Sequence, residues 1–256
     1  MASLNYCLPL TLFLVGELLL TAGLPKPGQA QSAPTTPENI ISSRSVVQVT
    51  FEPRGNGTPD DTAGGASRDG GICPQDSAAL GSPITPLMPA TLHGLTLADH
   101  PTFFVYVPQT SAQKALFVLK DASENYYYQK QIAIPRSPGG ILSFKLPADA
   151  PALMSGKSYK WSFVLMCEEG LRPDSPRVEG RVERIELTPA LSAQLKTLSP
   201  LERAALYGKD GVWYDTLTSL AELRRSQPND VALATTWKEL LKSVGLGGIA
   251  DRPLIQ

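Results

Sequence analysis

The sequence predicts a β-sandwich followed by a small α-helical region, and three observations support this fold class. Residues 45–187 contain short apolar runs separated by Gly and Pro turn signals, with no helical pattern between them. In the clearest run, residues 153–167, large apolar side chains alternate with polar ones, which is typical of a half-buried antiparallel strand. After Leu187 the apolar spacing changes from two residues to the helical period. The alternating apolar residues are Tyr159, Trp161, Phe163 and Leu165.

Composition is compatible with a folded chain and disfavours one class of ligand. The chain has 256 residues, of which 42% are hydrophobic, and this suffices for a substantial core. Lys and Arg number 23 against 24 Asp and Glu, which gives a net charge of -1. Because no excess of positive charge would attract phosphates, nucleic-acid binding is disfavoured.

The first 30 residues have the order of parts of a secretory signal peptide. An apolar run over residues 8–24 precedes Pro25, Pro27 and the small-residue site Gly28-Gln29-Ala30. We expect cleavage after Ala30, an extracytoplasmic location and no membrane span in the mature chain. Glu17 inside the run and the absence of Lys and Arg from residues 1–7 depart from the usual pattern. An uncleaved membrane anchor and a buried helix are the alternatives.

Cleavage would remove Cys7 and leave Cys73 and Cys167 as the mature cysteines. Two cysteines in an oxidising compartment suggest one disulfide, and two separately buried thiols are the alternative. The two histidines, His93 and His100, lack the close paired spacing of zinc ligands. No metal and no cofactor is therefore expected.

The chain before the main strands is polar and rich in turn residues. Residues 31–44 are predicted to form a flexible leader, and residues 45–53 a first strand with Val47, Val49 and Phe51 on one face. Residues 54–82 are rich in Gly, Asp, Ser and Pro and are predicted to form a long loop attached at Cys73. Arg68 in this loop could sit in an anion-binding backbone nest, and a plain surface loop is the alternative.

Seven further apolar runs complete the predicted sandwich of about seven or eight strands. The run PTFFVYVP is apolar on both faces, which predicts a central strand, while Tyr126 and Tyr128 fall on one face of the run NYYYQKQIAIP. The other runs are ITPLMPA, ALFVLKD, GGILSFKLP, the strand within residues 153–167, and RVEGRVERIEL.

The turn before the strand of Tyr159 carries a spacing found in known sandwiches. Leu153, Gly156 and Tyr159 resemble the tyrosine corner of immunoglobulin-like and fibronectin type III domains, in which the Tyr hydroxyl bonds to the preceding backbone. The resemblance implies an immunoglobulin-like or related sandwich. An unrelated sandwich with one more core strand is the alternative.

Residues 188–256 are predicted to be a helical region. Thr188-Pro189 begins one helix, and Ser199 with Glu202 forms a capping box for a short second helix that ends at Gly208. A third helix is expected over about 212–226, and a fourth from Asn229-Asp230 to Gly245. One set of spacings resembles a single tetratricopeptide repeat, which implies one helical hairpin docked on the sandwich. These residues are Tyr207, Gly211, Trp213, Leu220 and Pro228.

Five segments taken together resemble a mainly cyanobacterial family of secreted proteins of unknown function, the domain of unknown function 928. The segments are GGASRDGGIC, HPTFFVYVP, GKSYKWSFVLMC, VEGRVERIEL and LERAALYGKDGVWYDTLTSLAELR. The resemblance spans about residues 46–255. It implies a signal peptide, this domain order and a pairing of Cys73 with Cys167, and it implies no activity.

No catalytic constellation accompanies His93 or His100, so the sequence favours a non-catalytic binding or structural module of the cell envelope with a protein partner. The helical region, residues 188–256, is the expected docking surface unless the sandwich covers it. A glycan-binding module, or a hydrolase of unrecognised type, is the alternative. Four aromatic residues could stack on sugars or anchor a partner, although a structural role is open for each. They are Tyr126, Tyr128, Trp213 and Tyr214.

Overall fold

The computed structural model describes residues 47–54, 73–76, 82–167 and 170–255. These residues belong to one compact unit, Ser45–Gln256. The predicted signal peptide, the leader and most of the long loop, including Arg68, lie outside the described residues.

The described residues contain eight β-strands, then four α-helices and a ninth short strand at the end. The strands are β1 Thr85–Pro86, β2 His93–Thr96, β3 Thr102–Pro108, β4 Lys114–Lys120, β5 Tyr126–Ala133, β6 Gly139–Lys145, β7 Lys157–Met166, β8 Arg177–Arg184 and β9 Leu254–Ile255. The helices are α1 Pro189–Thr197, α2 Pro200–Lys209, α3 Trp213–Ser226 and α4 Val231–Ser243, and a short 3₁₀ turn covers Gly247–Ile249.

The strands form two sheets, with the order β1-β3-β6-β9 in one and β2-β8-β7-β4-β5 in the other. All seven apolar runs between Ile84 and Leu187 contain a strand, as predicted. The edge strands β2 and β9 were not predicted, and each pairs in parallel with its neighbour, β8 and β6 respectively. Both sheets are therefore mixed, whereas the alternating pattern predicted antiparallel pairing.

The predicted pattern of β7 is confirmed, and this strand is the middle one of the five-stranded sheet. Tyr159, Trp161, Phe163 and Leu165 are buried, while the intervening side chains are only partly covered. β7 pairs antiparallel with both neighbours, β4 and β8. Its apolar face lies against the four-stranded sheet, where the ring of Phe103 lies 5.5 Å from that of Trp161.

β3 is covered on both faces, which explains why its sequence does not alternate. All seven of its residues are buried. Phe103 contacts the five-stranded sheet through Phe117, with ring centroids 4.8 Å apart. Phe104 points to the opposite face, where its ring centroid lies 6.5 Å from that of Trp237 in α4. The helices therefore cover the outer face of the four-stranded sheet and share one core with the sandwich.

The tyrosine-corner spacing produces the expected hydrogen bond. The Met154 backbone N–H donates to the Tyr159 hydroxyl at 3.0 Å. Gly156 in the turn has φ +72°, a conformation that favours glycine. This contact fixes the turn that leads into β7.

The predicted first strand is wrong, because residues 47–54 form no strand. This segment packs on the helices instead: the Glu52 N–H donates to the Gly208 carbonyl at 3.0 Å, and the Phe51 ring lies 4.7 Å from that of Trp213. Val49 is buried and Phe51 is partly covered by Trp213, so the alternation did not require a strand partner.

Most predicted helix boundaries are confirmed by their caps. Thr188 and Asp230 cap α1 and α4 with side-chain acceptors, and Ser199 forms the capping box with Glu202. Gly208 does not end α2, which continues to Lys209. A side chain at Gly208 would collide with the Thr50 carbonyl, so this glycine allows close approach of two backbones.

Candidate functional site

A half-open polar cleft lies where the ends of β2, β3 and β6 meet α2 and α3. Its volume is about 150 Å³. The lining is rich in hydroxyl groups and includes one carboxylate, that of Asp215. The lining residues are Thr96, Ala98, His100, Pro101, Thr102, Lys145, Tyr207, Tyr214, Asp215, Thr218 and Ser219.

Asp215 lies in the first turn of α3 and connects that helix to the end of β2. Its Oδ2 accepts hydrogen bonds from Thr96 Oγ1 at 2.8 Å and from the Leu97 N–H at 3.1 Å. The residue keeps part of its surface open, but the carboxyl group is closely enclosed by protein. Burial disfavours the charged form more than these hydrogen bonds favour it, and it raises the pKa of Asp215 to about 6.

His100 lies on the wall of the cleft with both ring nitrogens engaged. Nδ1 is 3.0 Å from Asp99 Oδ1, and Nε2 is 3.1 Å from the Ala150 carbonyl oxygen. A carbonyl can only accept, so Nε2 carries a hydrogen, and the carboxylate at Nδ1 favours a second proton. The hydrogen bond to Asp99 is the largest cause that raises the pKa of His100. The imidazole therefore offers no free lone pair to the cleft.

Tyr207 supplies a neutral hydroxyl to the same cleft. Burial, followed by the nearby Asp215 charge, raises the pKa of Tyr207, so its phenol stays protonated at neutral pH. Thr218 Oγ1 donates to the Tyr214 carbonyl at 2.7 Å. The oxygen of this hydroxyl keeps the capacity to accept a hydrogen bond.

The back of the cleft is held by a buried hydrogen-bond chain. Trp161 Nε1 donates to the Tyr214 hydroxyl at 2.7 Å, and this hydroxyl donates to the Arg181 carbonyl at 3.0 Å. Burial is the main cause that raises the pKa of Tyr214 above its usual range. The chain joins β7, β8 and α3 and keeps the Tyr214 ring fixed beside Asp215.

Two of the four aromatic candidates lie in the core. Trp213 is 0% exposed and donates from Nε1 to the Leu87 carbonyl at 2.8 Å. Tyr214 is 2% exposed. Neither ring can stack on a ligand from solvent, which corrects the expectation that they lie on a binding surface. The structural alternative for both residues is the one observed.

Tyr126 and Tyr128 lie on β5, an edge strand, but not on the same face as predicted. A bulge between Leu119 and Lys120 places Tyr126 opposite Lys120 and Tyr128 opposite Leu119. Tyr126 is 71% exposed, and Lys120 Nζ lies 5.1 Å from its ring centroid. Tyr128 is partly buried, and burial followed by the charge of Asp149 raises its pKa. Tyr126 is thus the only one of the four candidates with a freely exposed ring.

The predicted cysteine pairing is present. Cys73 and Cys167 form a disulfide with a Cα–Cα distance of 5.4 Å across 94 residues of sequence. The bond ties the segment 73–76 to the end of β7. Cys73 is fully buried.

Asp215 is the candidate site residue that the sequence pattern does not reveal. Its closest partner, Thr96, lies 119 residues earlier in the chain. An acidic residue in the first turn of a helix is common, because it complements the helix dipole. No local signal therefore distinguishes Asp215 from an ordinary exposed carboxylate.

Across the described residues, no group of three or more His, Cys, Asp or Glu side chains is placed to hold a metal ion. In the same part of the chain, no helix combines the length and apolar character needed to cross a membrane.

The fold and site define a mixed β-sandwich protein with docked C-terminal helices, one disulfide and a polar cleft at the junction of sheets and helices. The chain belongs to the family described as Domain of Unknown Function (DUF928), whose model matches residues 63–254. Comparison with curated proteins finds no significant match. The resemblance noted in the sequence is therefore confirmed at the level of the family.

Proposed function

We propose that the protein is a non-catalytic binding module that works outside the cytoplasm, in the cell envelope. The signal-peptide pattern of residues 1–30 supports this location. The Cys73–Cys167 disulfide adds support, because such bonds form and persist mainly in oxidising compartments. The likeness to a mainly cyanobacterial family of secreted proteins agrees with the same compartment.

The observation that carries a binding function is the Asp215 cleft. A concave site with a few convergent polar groups is the usual form of a small-ligand site. Here an enclosed carboxylate, with two protein donors on one of its oxygens, faces a hydroxyl-lined space of about 150 Å³. The hydrogen-bond chain behind it holds the site rigid, which lowers the entropic cost of binding.

The arrangement favours binding over hydrolysis. A pKa of about 6 would suit Asp215 as a general acid. Glycoside hydrolysis, however, normally needs two carboxyl groups on opposite sides of the scissile bond. Among the described residues that line the cleft, Asp215 is the one carboxylate, and His100 has both nitrogens engaged. We therefore retain a hydrolase only as the alternative to be tested.

A protein partner is the second candidate, and the exposed edge strand β5 favours it. β5 ends the five-stranded sheet, so within the described part of the chain no strand pairs with its outer backbone edge. Such an edge can accept a strand from another chain, and the Tyr126 ring beside it could anchor the contact. The C-terminal helices present less apolar surface to a partner, because Trp213, Leu217 and Trp237 are already buried in the shared core.

We also propose that the sandwich is related to immunoglobulin-like domains and that two of the helices form a tetratricopeptide-like hairpin. The tyrosine corner at Tyr159 supports an immunoglobulin-like relationship of the sandwich. A tetratricopeptide-like hairpin formed by α2 and α3 is supported by the small residue Gly208 of α2, where an added Cβ would lie 3.6 Å from the methyl carbon of the fully buried Thr216 of α3. Superposition on solved domains of both classes, with strand order and interhelical angle compared, tests these relationships.

Two measurements test the proposed function. Intact mass of the protein from the extracytoplasmic fraction should correspond to a chain that begins at Gln31, and a chain that still begins at Met1 or Ala2 would refute export with cleavage. Affinity capture with the tagged mature protein should retain envelope glycan or a defined envelope protein. Release of a sugar product from envelope glycan would instead establish the hydrolase.

A further inference from the structure

We propose that the Asp215 cleft binds one neutral sugar unit, held by hydrogen bonds to the Asp215 carboxylate and to the hydroxyl groups around it. This inference rests on the proposed binding function and names the chemical class of its ligand.

The hydroxyl lining matches a ligand whose groups both donate and accept. The cleft is lined by several residues that carry a hydroxyl group, among them Thr102, Tyr207, Thr218 and Ser219. The Thr218 hydroxyl already donates to the Tyr214 carbonyl and keeps its capacity to accept, while each of the other three hydroxyls can donate one hydrogen bond and accept others. Sugar hydroxyls have the same dual capacity, so neighbouring ligand groups can pair with this lining in either direction.

Asp215 provides the strongest acceptor. An ionised carboxylate has about four acceptor positions, and protein donors from Thr96 and Leu97 both occupy Oδ2. The residue remains partly open to the cleft. A sugar hydroxyl that donates to this carboxylate makes a charge-assisted hydrogen bond, roughly twice as strong as a neutral one. The enclosed position strengthens that bond further, because water screens it less.

The charges around the cleft favour a neutral ligand over an ion. An anion would meet the Asp215 carboxylate, and a cation would meet the Lys145 ammonium, while the charge of a protonated His100 ring is balanced by the Asp99 carboxylate 3.0 Å from its Nδ1. Groups of both signs therefore line one small space, and each disfavours one sign of ligand. A neutral polyhydroxylated ring meets neither repulsion.

The size of the cleft limits the ligand to about one ring. A volume of about 150 Å³ is below the range of roughly 300 to 1,000 Å³ that holds drug-sized ligands. The apolar walls from Ala98 and Pro101 offer contact for the C–H face of a ring. The site therefore suits a monosaccharide or the terminal unit of a longer glycan.

The test is a titration of the full mature protein with neutral methyl glycosides of glucose, galactose, mannose and N-acetylglucosamine, followed by amide chemical shifts. At least one probe should shift the amides of Leu97, Asp215 and Ser219 in a saturable manner. Asp215→Asn keeps the acceptor for Thr96 and Leu97 but removes the charge, and it should weaken binding roughly tenfold, as expected for loss of one charge-assisted bond. The matched control Asp149→Asn, on an exposed carboxylate outside the cleft, should bind as the wild type does.

Two further variants keep the proposal refutable. If Asp215→Asn does not fold, Ser219→Phe fills the cleft from its wall without touching the Thr96 contact, and it should abolish saturable binding. Tyr126→Ala should leave binding unchanged, since its ring lies on β5. Absence of saturable shifts with every probe, equal affinity of the cleft variants and the wild type, or shifts confined to β5 would each overturn the proposal. If the exported protein retains an envelope partner but gives any of these results, only the sugar-binding inference is refuted. If the chain is not processed, the proposed function is refuted.

Discussion

Replacement of Tyr214 by phenylalanine tests whether the hydrogen-bond chain behind the cleft holds the helices on the sandwich. The substitution removes one oxygen and leaves the ring, which contacts Phe103 with centroids 5.5 Å apart. The Trp161 N–H, on a side chain only 1% exposed, would then lose its acceptor, and the Arg181 carbonyl would lose one donor. The change therefore isolates the polar contact from the packing.

The expected cost follows from the burial of the indole N–H. A buried donor left without a partner costs about 1 to 3 kcal/mol, and the carbonyl loses less because it has a second lone pair. We expect Tyr214→Phe to lower the free energy of unfolding by about 2 kcal/mol. For a domain of this size, that corresponds to a melting temperature lower by about 4 to 8 °C.

The assay is urea denaturation followed by tryptophan fluorescence, with the disulfide kept oxidised in every sample. Tyr126→Phe is the matched control, because its ring is 71% exposed, and we expect a change within about 0.5 kcal/mol. Equal stability of the two variants would show that the chain from Trp161 to Arg181 does not stabilise the fold. If Tyr126→Phe lowered the free energy of unfolding as much as Tyr214→Phe does, burial of the hydroxyl would not explain the loss.

Three further outcomes are expected from the same structure. Gly180→Ala should lower the free energy of unfolding by about 1 to 3 kcal/mol, because a Cβ would lie 2.7 Å from the Trp161 ring. At Gly170 a Cβ would meet no atom within 4 Å, so Gly170→Ala should be near neutral in the same denaturation assay. Burial raises the pKa of Asp215 in the folded state to about 6, above an unfolded value near 4, so the folded state binds the extra proton between these values. The free energy of unfolding should therefore fall by about 2 to 3 kcal/mol as pH rises from 4 to 6. Asp215→Asn should flatten this part of the stability profile, and a variant profile equal to that of the wild type would contradict the expectation. Cys73→Ser should cost up to about 4 kcal/mol for a loop closed across 94 residues, and peptide mapping that found both wild-type thiols free would remove its basis.

Features that depend on neighbours in the chain were predictable from the sequence. The alternation in β7 determines which of its side chains enter the core, and the caps at Thr188, Ser199 and Asp230 determine where three helices begin. Backbone geometry fixes these relationships over two to four residues, so the partner need not be known. The disulfide was predictable for another reason, because the predicted cleavage after Ala30 would leave only Cys73 and Cys167 to pair.

The tertiary structure alone decided which surfaces face each other. Residues 47–54 alternate as a strand does, yet they lie on α2 and α3, where the Glu52 N–H donates to the Gly208 carbonyl and Phe51 packs on Trp213. The bulge after Leu119 separates Tyr126 from Tyr128, although their spacing places them on one face of a regular strand. Asp215 becomes a site residue only because Thr96 and the end of β2 reach the start of α3. Such long-range contacts depend on which elements pack together, and the local residue pattern does not encode that choice.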